Sequence, residues 1–393
     1  MKQSSAGVLE VNAGITHGVA EGTEFVLYED TNQDSPLSGI FYATSVSTTS
    51  SKLAPKYSQP IPNVPRMLYA LVSRWENPDA KLAVFIDAHP SSMRLFGLVS
   101  PVWKKMATSF SVIRASLPSG ADIILQDTNG ESELVKIKSL ISSRIGPCLH
   151  TEISVDRDRV HHVLQSAAHF KSHLLRTNKS NPLHGLVNIE LYRLKEVDHG
   201  QYAPADGNFV HDRQARIILN DDLYGVTLRN DSDHDLFPNL FYFDPSDLSI
   251  QPLYVPPSST MAAPLRQKSF ITVGHGNNDG RAIKFSLKPD DASYTAFLVL
   301  FLFTEYTDME NIQQGSVFDR ASDSASDRGF EFVEVKESGL WDKAHATITV
   351  ARKSEDFEFM SRAVHTIVGG FSSPSFSPHS SLSLQEKFSR LWL

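Results

Sequence analysis

Four histidines lie on one predicted helix, and among the motifs of this sequence their spacing is the most similar to that of metal ligands. The helix runs from Arg157 to about Arg176, and His162, His169 and His173 fall within roughly 40° of one another at about 100° per residue. Imidazoles at positions i and i+4 can bind one zinc ion. Because the opposite face is apolar, we expect a polar histidine face directed at solvent or at another domain, with no metal or other cofactor bound.

The single cysteine, Cys148, lies two residues before His150, and residues two apart in an extended segment share one face. A thiolate nucleophile needs an electropositive pocket, and working pairs are usually brought together from distant positions. We therefore interpret Cys148 as a buried thiol and expect no catalytic residue. A cysteine endopeptidase with an atypical dyad of Cys148 and a distant histidine is kept as an alternative.

Two polar loops imitate ligand-binding motifs. Asp231 to Asp235 alternates acids as a calcium loop does, but Leu236 and Tyr242 occupy the positions that need Gly and a bidentate Glu. We therefore predict the tip of a hairpin there. The Gly-rich loop from Gly274 to Gly280 precedes a predicted strand rather than a helix, so it indicates a turn and not a phosphate site.

Composition and charge exclude some classes of partner and indicate a location. The net charge is −8, and the basic residues are scattered, so we expect neither nucleic acid nor a membrane as partner. One cysteine favours a reducing compartment, and the N-terminus lacks the apolar core of a signal peptide. The chain is therefore predicted to be cytoplasmic. The longest apolar run, from Ala296 to Phe303, indicates a buried strand.

Hydrophobic patterning predicts a mixed α/β and all-β fold in three domains. A small N-terminal β-barrel-like domain is expected in residues 1–60, an α/β domain in 61–181 and an antiparallel β-sandwich in 182–352. The Ser-rich tail, 353–393, is expected to be poorly ordered.

Local signals support the last two domains. Residues 100–116 are predicted to be helical because Pro101 stands in the first turn, and the Asn129-Gly130 turn predicts a hairpin. In the sandwich, the segment from Leu223 to Pro257 predicts three strands, the middle one apolar on both faces and therefore central. Residues 344–351 are predicted to form an edge strand.

Several blocks of this chain resemble the C-terminal region of caspase-domain proteins of mushroom-forming fungi, in the peptidase C14, metacaspase-like group. The blocks occur in the same order and are HGVAEGTEFVLY from His17, AAHFKSHLLRTNK from Ala167, LYGVTLRN from Leu223 and LFPNLFYFDPSDLSIQP from Leu236. The last is the most specific. Together they cover roughly residues 7–315.

The resemblance implies an accessory region without its enzyme. Family proteins place a protease domain ahead of this region, with a His at a Gly-rich strand end and a Cys in an Asp-x-Cys-His-Ser-Gly-like segment. Cys148 stands instead in Gly-Pro-Cys-Leu-His, and His17 lies in a predicted β-turn. We therefore expect a non-catalytic protein-interaction or regulatory module with a protein partner. A second alternative is a glycan- or ligand-binding sandwich with Trp75, Trp103 or Trp341 as a stacking platform.

Overall fold

Strands dominate the fold, which is described here from a computed structural model. The described residues are 2–3, 9–28, 39–57, 69–74, 76, 81–87, 112–127, 134–139, 150–154, 157–198, 201–258, 260–276, 282–287, 291–318 and 339–353. The chain divides into one unit of Met1–Ala351 and a second of Arg352–Leu393. Within these described ranges, four β-sheets and one long helix confirm the predicted mixture of β and α/β structure.

The first sheet is antiparallel and curls into a nearly closed, barrel-like form. Its strands are β1 (Lys2–Gln3), β2 (Leu9–Val11), β3 (Glu24–Tyr28), β4 (Phe41–Val46), β5 (Ser51–Pro55) and β6 (Tyr69–Arg74), in the order β1-β2-β5-β4-β3-β6. Alternate residues of these strands point inward and form an apolar core that includes Phe25, Leu27 and Phe41. This bears out the predicted barrel-like form, in which β6 (Tyr69–Arg74) is the last strand.

The second sheet mixes parallel and antiparallel pairs. Its strands are β7 (Leu82–Ile86), β8 (Val112–Arg114), β9 (Ile123–Asp127), β10 (Leu134–Ser139) and β11 (His150–Ser154), in the order β11-β10-β9-β7-β8. The predicted hairpin strands pair as β9 and β10, in antiparallel register. The predicted helix over 100–116 is wrong at its end: β-branched Val112 and Ile113 join β7 in a parallel pair, and residues 100–111 lie outside the described residues.

One helix, α1 (Arg157–Leu175), confirms the prediction made from its apolar period. Its apolar face includes Val163, Leu164 and Phe170. These side chains belong to one apolar cluster with residues of the second sheet and of the β-sandwich, so the cluster crosses the predicted boundary at residue 181. The helix is therefore held between two sheets.

Nine strands of the described part of the chain form the two-layered β-sandwich. They are β12 (Val187–Asp198), β13 (Gln201–Pro204), β14 (Gln214–Ile218), β15 (Leu223–Asn230), β16 (Phe237–Asp244), β17 (Ser249–Tyr254), β18 (Ser269–Val273), β19 (Ser293–Phe303) and β20 (Trp341–Ala351). The third sheet has the order β13-β12-β15-β18, and the fourth has the order β14-β20-β19-β16-β17. Alternate residues from both sheets meet in a second apolar core.

The internal strand β16 is buried on both faces, as its sequence predicts. Leu240 faces the third sheet, whereas Phe241 and Phe243 face α1, and the ring centroid of Phe243 lies 5.3 Å from that of Phe170. The helix on one side and the third sheet on the other explain why this strand has no polar face.

Two predictions within the sandwich are wrong. The polar segment after Asn230 is not a hairpin tip, because β15 and β16 belong to different sheets and the segment crosses between them. Strand β20 is not an edge strand, since β14 pairs with it in parallel on one side and β19 pairs with it on the other. The pairing of β14 joins residues far apart in sequence, so local pattern could not reveal it.

Among the described residues, no helix has both the length and the apolar character needed to cross a membrane.

Candidate functional site

The histidine face of α1 is partly buried against the rest of the protein. His173 is only 3% exposed, and its ring centroid lies 4.4 Å from that of His169. The Nε2 atom of His169 lies 3.0 Å from the carbonyl oxygen of Ile312, in the connection between β19 and β20. The histidine face is therefore not solvated at His173, and at His169 it meets the predicted sandwich domain, which is the second of the two directions expected from the sequence.

His162 does not complete a metal site with these two residues. Within the described ranges, no three His, Cys, Asp or Glu side chains are grouped so that they could hold a metal ion. The helical spacing is as predicted, but His169 contacts the carbonyl oxygen of Ile312 and the ring of His173.

The other residues singled out in the sequence are only partly described. Cys148, the side chain of His150, Trp75 and Trp103 lie outside the described residues. Trp341 is 5% exposed and belongs to the apolar cluster under α1. It is therefore part of the core and offers no stacking platform to a ligand.

The acidic segment between β15 and β16, residues 231–235, is held in place by arginine and lysine side chains and a backbone N–H. Asp235 accepts hydrogen bonds from Arg266, at 2.6 Å, and from the N–H of Gln267. These bonds hold the pKa of the Asp235 carboxyl below its usual range. Lys268 pairs with Asp233 at 3.1 Å. The carboxylates thus fix the crossing between the sheets, and the departures from a calcium loop seen in the sequence agree with this role.

The outer face of the third sheet, turned away from the fourth sheet, holds a cluster of interacting polar and aromatic side chains. We call this set the outer-face cluster, and its members are Glu190, Tyr192, Thr227, Arg229, Phe270 and His275. The residues that alternate with them, such as Leu191 and Val226, lie in the sandwich core. Register brings the cluster together, since Glu190 lies opposite Thr227, and Arg229 lies opposite Phe270.

Glu190 stands at the centre of the hydrogen bonds in this cluster. Its carboxylate accepts a bond from Nε of Arg229 at 3.0 Å and another from the hydroxyl of Tyr192 at 3.0 Å. The bond to Glu190 raises the pKa of Arg229, while burial, followed by the bond to Glu190, raises the pKa of Tyr192. Glu190 thereby fixes one side chain from its own strand and one from β15.

His275 folds back across the sheet from the loop after β18. Gly274 and Gly276 adopt positive φ angles of 79° and 71°, which turn the chain sharply on either side of it. Its Nδ1 lies 3.4 Å from the carbonyl oxygen of Val273, and its Nε2 lies 3.4 Å from the hydroxyl of Thr227. Burial lowers the pKa of His275. Because the carbonyl oxygen of Val273 can only accept, a bond between them has Nδ1 as its donor.

The cluster ends in an exposed aromatic ring at the sheet edge. Phe270 is 54% exposed, although it is a large apolar side chain. The guanidinium of Arg229 lies 5.7 Å from its ring centroid, which is the distance of a cation–π contact. Arg229 thus links the fixed carboxylate of Glu190 to the exposed ring.

The chain matches no protein-family model, no curated protein and no solved structure. Its function must therefore be inferred from its own geometry.

Strand β18 differs from the other three edge strands of the sandwich. Natural edge strands usually contain charges or prolines that discourage pairing with another chain. Strand β13 contains Pro204, β17 contains Pro252 and β14 contains Arg216, but β18 has the sequence SFITV. Among the described strands, none pairs with its second edge. Within the described ranges this edge therefore has no strand partner, and it lacks the usual protection.

A separate group of titratable side chains lies where α1 ends, with His17 and Arg176 buried and Lys343 half-buried. The ammonium group of Lys343 donates to the carbonyl oxygen of Leu174. Burial, followed by repulsion from Arg176, lowers the pKa of Lys343 to about 7, and burial lowers that of Arg176 to about 9. Burial also lowers the pKa of His17 to about 4. Lys343 thus ties the fourth sheet to the helix, and we assign this group a structural role.

Sequence reasoning did not find the outer-face cluster. Glu190 and Arg229 are 39 residues apart, and only strand register makes them neighbours. One signal was available in the sequence: Gly225 interrupts the apolar run of β15, and a glycine inside a strand marks a close approach by another group.

Proposed function

We propose that this chain is a non-catalytic protein-interaction module that binds an extended segment of a partner protein along β18. The proposal depends on one observation: the uncharged edge of β18, beside the exposed ring of Phe270, has no partner among the described strands. An added strand gains main-chain hydrogen bonds, and its alternate side chains lie over the outer face. Cytoplasmic location and kinship with the accessory region of fungal caspase-domain proteins are part of this proposal.

The outer-face cluster supports binding because it is already ordered. Arg229 is held by Glu190 and in turn lies over Phe270, so little conformational freedom is lost when a partner covers the ring. Exposed aromatic residues next to arginine are common among residues that dominate binding energy. The partner segment is therefore expected to place an apolar side chain on Phe270.

The cluster is less suited to catalysis. The Glu190 carboxylate already accepts two protein hydrogen bonds, and His275 is buried with both ring nitrogens directed at protein oxygens. A general base must reach a substrate proton directly or through one water molecule. The endopeptidase alternative depends on Cys148, which is not part of this cluster. The glycan alternative is weakened because Trp341, one of its three candidate stacking residues, is buried.

A peptide-display selection tests the proposal. Random peptides of about 12 residues, long enough to span a typical strand, are selected on the purified chain. Binding of the enriched peptides is then measured by fluorescence polarisation on the wild type, on Phe270→Lys and on Val197→Lys. Val197 is also 54% exposed, so it is a matched control on β12.

We expect Phe270→Lys to weaken binding at least about tenfold and Val197→Lys to leave it within about twofold. No enriched peptide, or equal binding to Phe270→Lys, would contradict the proposal. A glycan array run on the same three proteins addresses the alternative: a glycan whose binding depends on Phe270 would replace a protein partner.

A further inference from the structure

We propose that the segment bound by β18 is β18 of a second copy of this chain. The inference rests on the proposed function, because it names the partner of the same edge. Two β18 strands related by a two-fold axis would run antiparallel and join two third sheets into one continuous sheet of eight strands. The reasons lie in the register of such a pair.

Centring the two-fold axis on Ile271 pairs all five residues of β18 with its copy. Phe270 then lies opposite Thr272 of the second chain, and Ser269 lies opposite Val273. Residues directly opposite in an antiparallel pair share a face, so Phe270 and Thr272 stay on the outer face and Ile271 stays on the core face. Aromatic residues opposite β-branched residues are among the favourable cross-strand pairs.

The ends of the strand add no repulsion in this register. Lys268 would lie opposite Gly274 of the other chain rather than opposite a second cation. Its ammonium group is also turned away, since it donates to the carbonyl oxygen of Asp231 at 2.7 Å and pairs with Asp233. The outward side chains of both copies are therefore a phenylalanine and a threonine.

The other three edge strands of the sandwich are not suited to pairing with a second copy of themselves. A self-pair of β14 centred in the same way would place Arg216 opposite Arg216, and like charges directly opposite are destabilising. Strand β17 contains Pro252 and β13 ends in Pro204, and proline has no N–H to donate. Self-complementarity is thus specific to β18 among the four edges.

Sedimentation velocity over protein concentrations of about 1 to 500 µM tests the assembly, because a five-residue edge predicts a weak dimer. The wild type is expected to shift from monomer to dimer within this range. Phe270→Lys should raise the dissociation constant at least about tenfold, whereas Val197→Lys should leave it within about twofold. A wild type that stays monomeric throughout, or a dimer unaffected by Phe270→Lys, would overturn the inference.

Cross-linking tests the register itself. In a Cys148→Ser background, the double variant Phe270→Cys/Thr272→Cys is expected to form a disulfide-linked dimer under mild oxidation, because these positions lie opposite each other across the axis. Each single variant should cross-link much less. Equal cross-linking of the singles and the double would exclude this register and with it the inference.

The two proposals can fail separately. If the wild type is monomeric but selected peptides bind it in a Phe270-dependent way, the protein-interaction function stands and the second copy is excluded as the partner. If neither binding is detected, both proposals fail.

Discussion

His275 lies so close over Gly225 that a Cβ atom at position 225 would stand 2.4 Å from the Nδ1 atom of the imidazole. No real Cβ contact is that short, so one of the two groups would have to move. The glycine therefore allows the ring to cross β15 and reach Thr227. This relationship ties the loop after β18 to the centre of the third sheet.

Replacing Gly225 with alanine is expected to lower the free energy of unfolding by about 1–3 kcal/mol, the usual cost of overpacking a tight contact. The loss of stability caused by Gly225→Ala should be smaller in a His275→Ala background than in the wild type, because the displaced ring is then absent. Gly207→Ala is the control, since a Cβ there meets no atom within 4 Å. Denaturant unfolding measures the wild type, the Gly225→Ala and His275→Ala single variants, their double variant and the control, and an unchanged stability of Gly225→Ala would contradict the close packing.

The pair formed by Glu190 and Arg229 should matter more for binding than for folding. The guanidinium of Arg229 is partly exposed, so the pair should contribute little to stability. A double-mutant cycle with Glu190→Gln and Arg229→Gln is therefore expected to give a coupling energy below about 1 kcal/mol in the free energy of unfolding. The same single variants should weaken binding of the selected peptides about tenfold, because Arg229 no longer lies fixed over Phe270. Loss of stability with unchanged binding would show that the pair serves only the fold.

Lys343 should make stability depend on pH. Its pKa falls from 10.5 to about 7 on folding, so between these values the unfolded chain binds more protons than the folded one. The free energy of unfolding therefore rises with pH in this window, by about 2 kcal/mol between about pH 7 and pH 9.

Unfolding measurements across this range test the assignment with Lys343→Met. The variant is expected to lose most of the rise seen in the wild type. Lys268→Met, at an exposed position, is the matched control and should keep it. A wild-type stability that falls from pH 7 to pH 9, or a variant with the full rise, would contradict the burial of a Lys343 amine.

The purified chain is expected not to cleave peptide reporters that contain Arg, Lys or Asp, with or without calcium. The caspase-like His and Cys segments are absent from its sequence, so no activated nucleophile is expected. Reporter fluorescence over several hours measures this. Turnover that Cys148→Ala abolishes would instead support the endopeptidase with an atypical dyad.

The sequence was sufficient for features set by local pattern. The uninterrupted apolar run LFYF predicted a strand buried on both faces, and β16 is covered by α1 on one side and the third sheet on the other. The period of α1 and the strands β9 and β10 were also predicted correctly. Each of these depends on residues that are neighbours along the chain.

Features set by distant pairing could not be predicted in this way. Strand β20 became internal because β14, more than 100 residues earlier, pairs with it. Val112 became part of a strand because β7 was available as a parallel partner. The outer-face cluster depends on three strands meeting in one register, so its members appeared in the sequence only as ordinary surface residues.

Hydrogen–deuterium exchange measured by mass spectrometry tests most directly whether β18 is the binding edge. Amides of an open edge exchange readily and become protected when a strand is added. With a selected peptide at saturation, or at high concentration of the chain alone if it self-pairs, we expect slower exchange in fragments that contain residues 269–273. Fragments from β13 and β17 should not change. Protection confined to another edge or to α1, with residues 269–273 unchanged, would contradict the account.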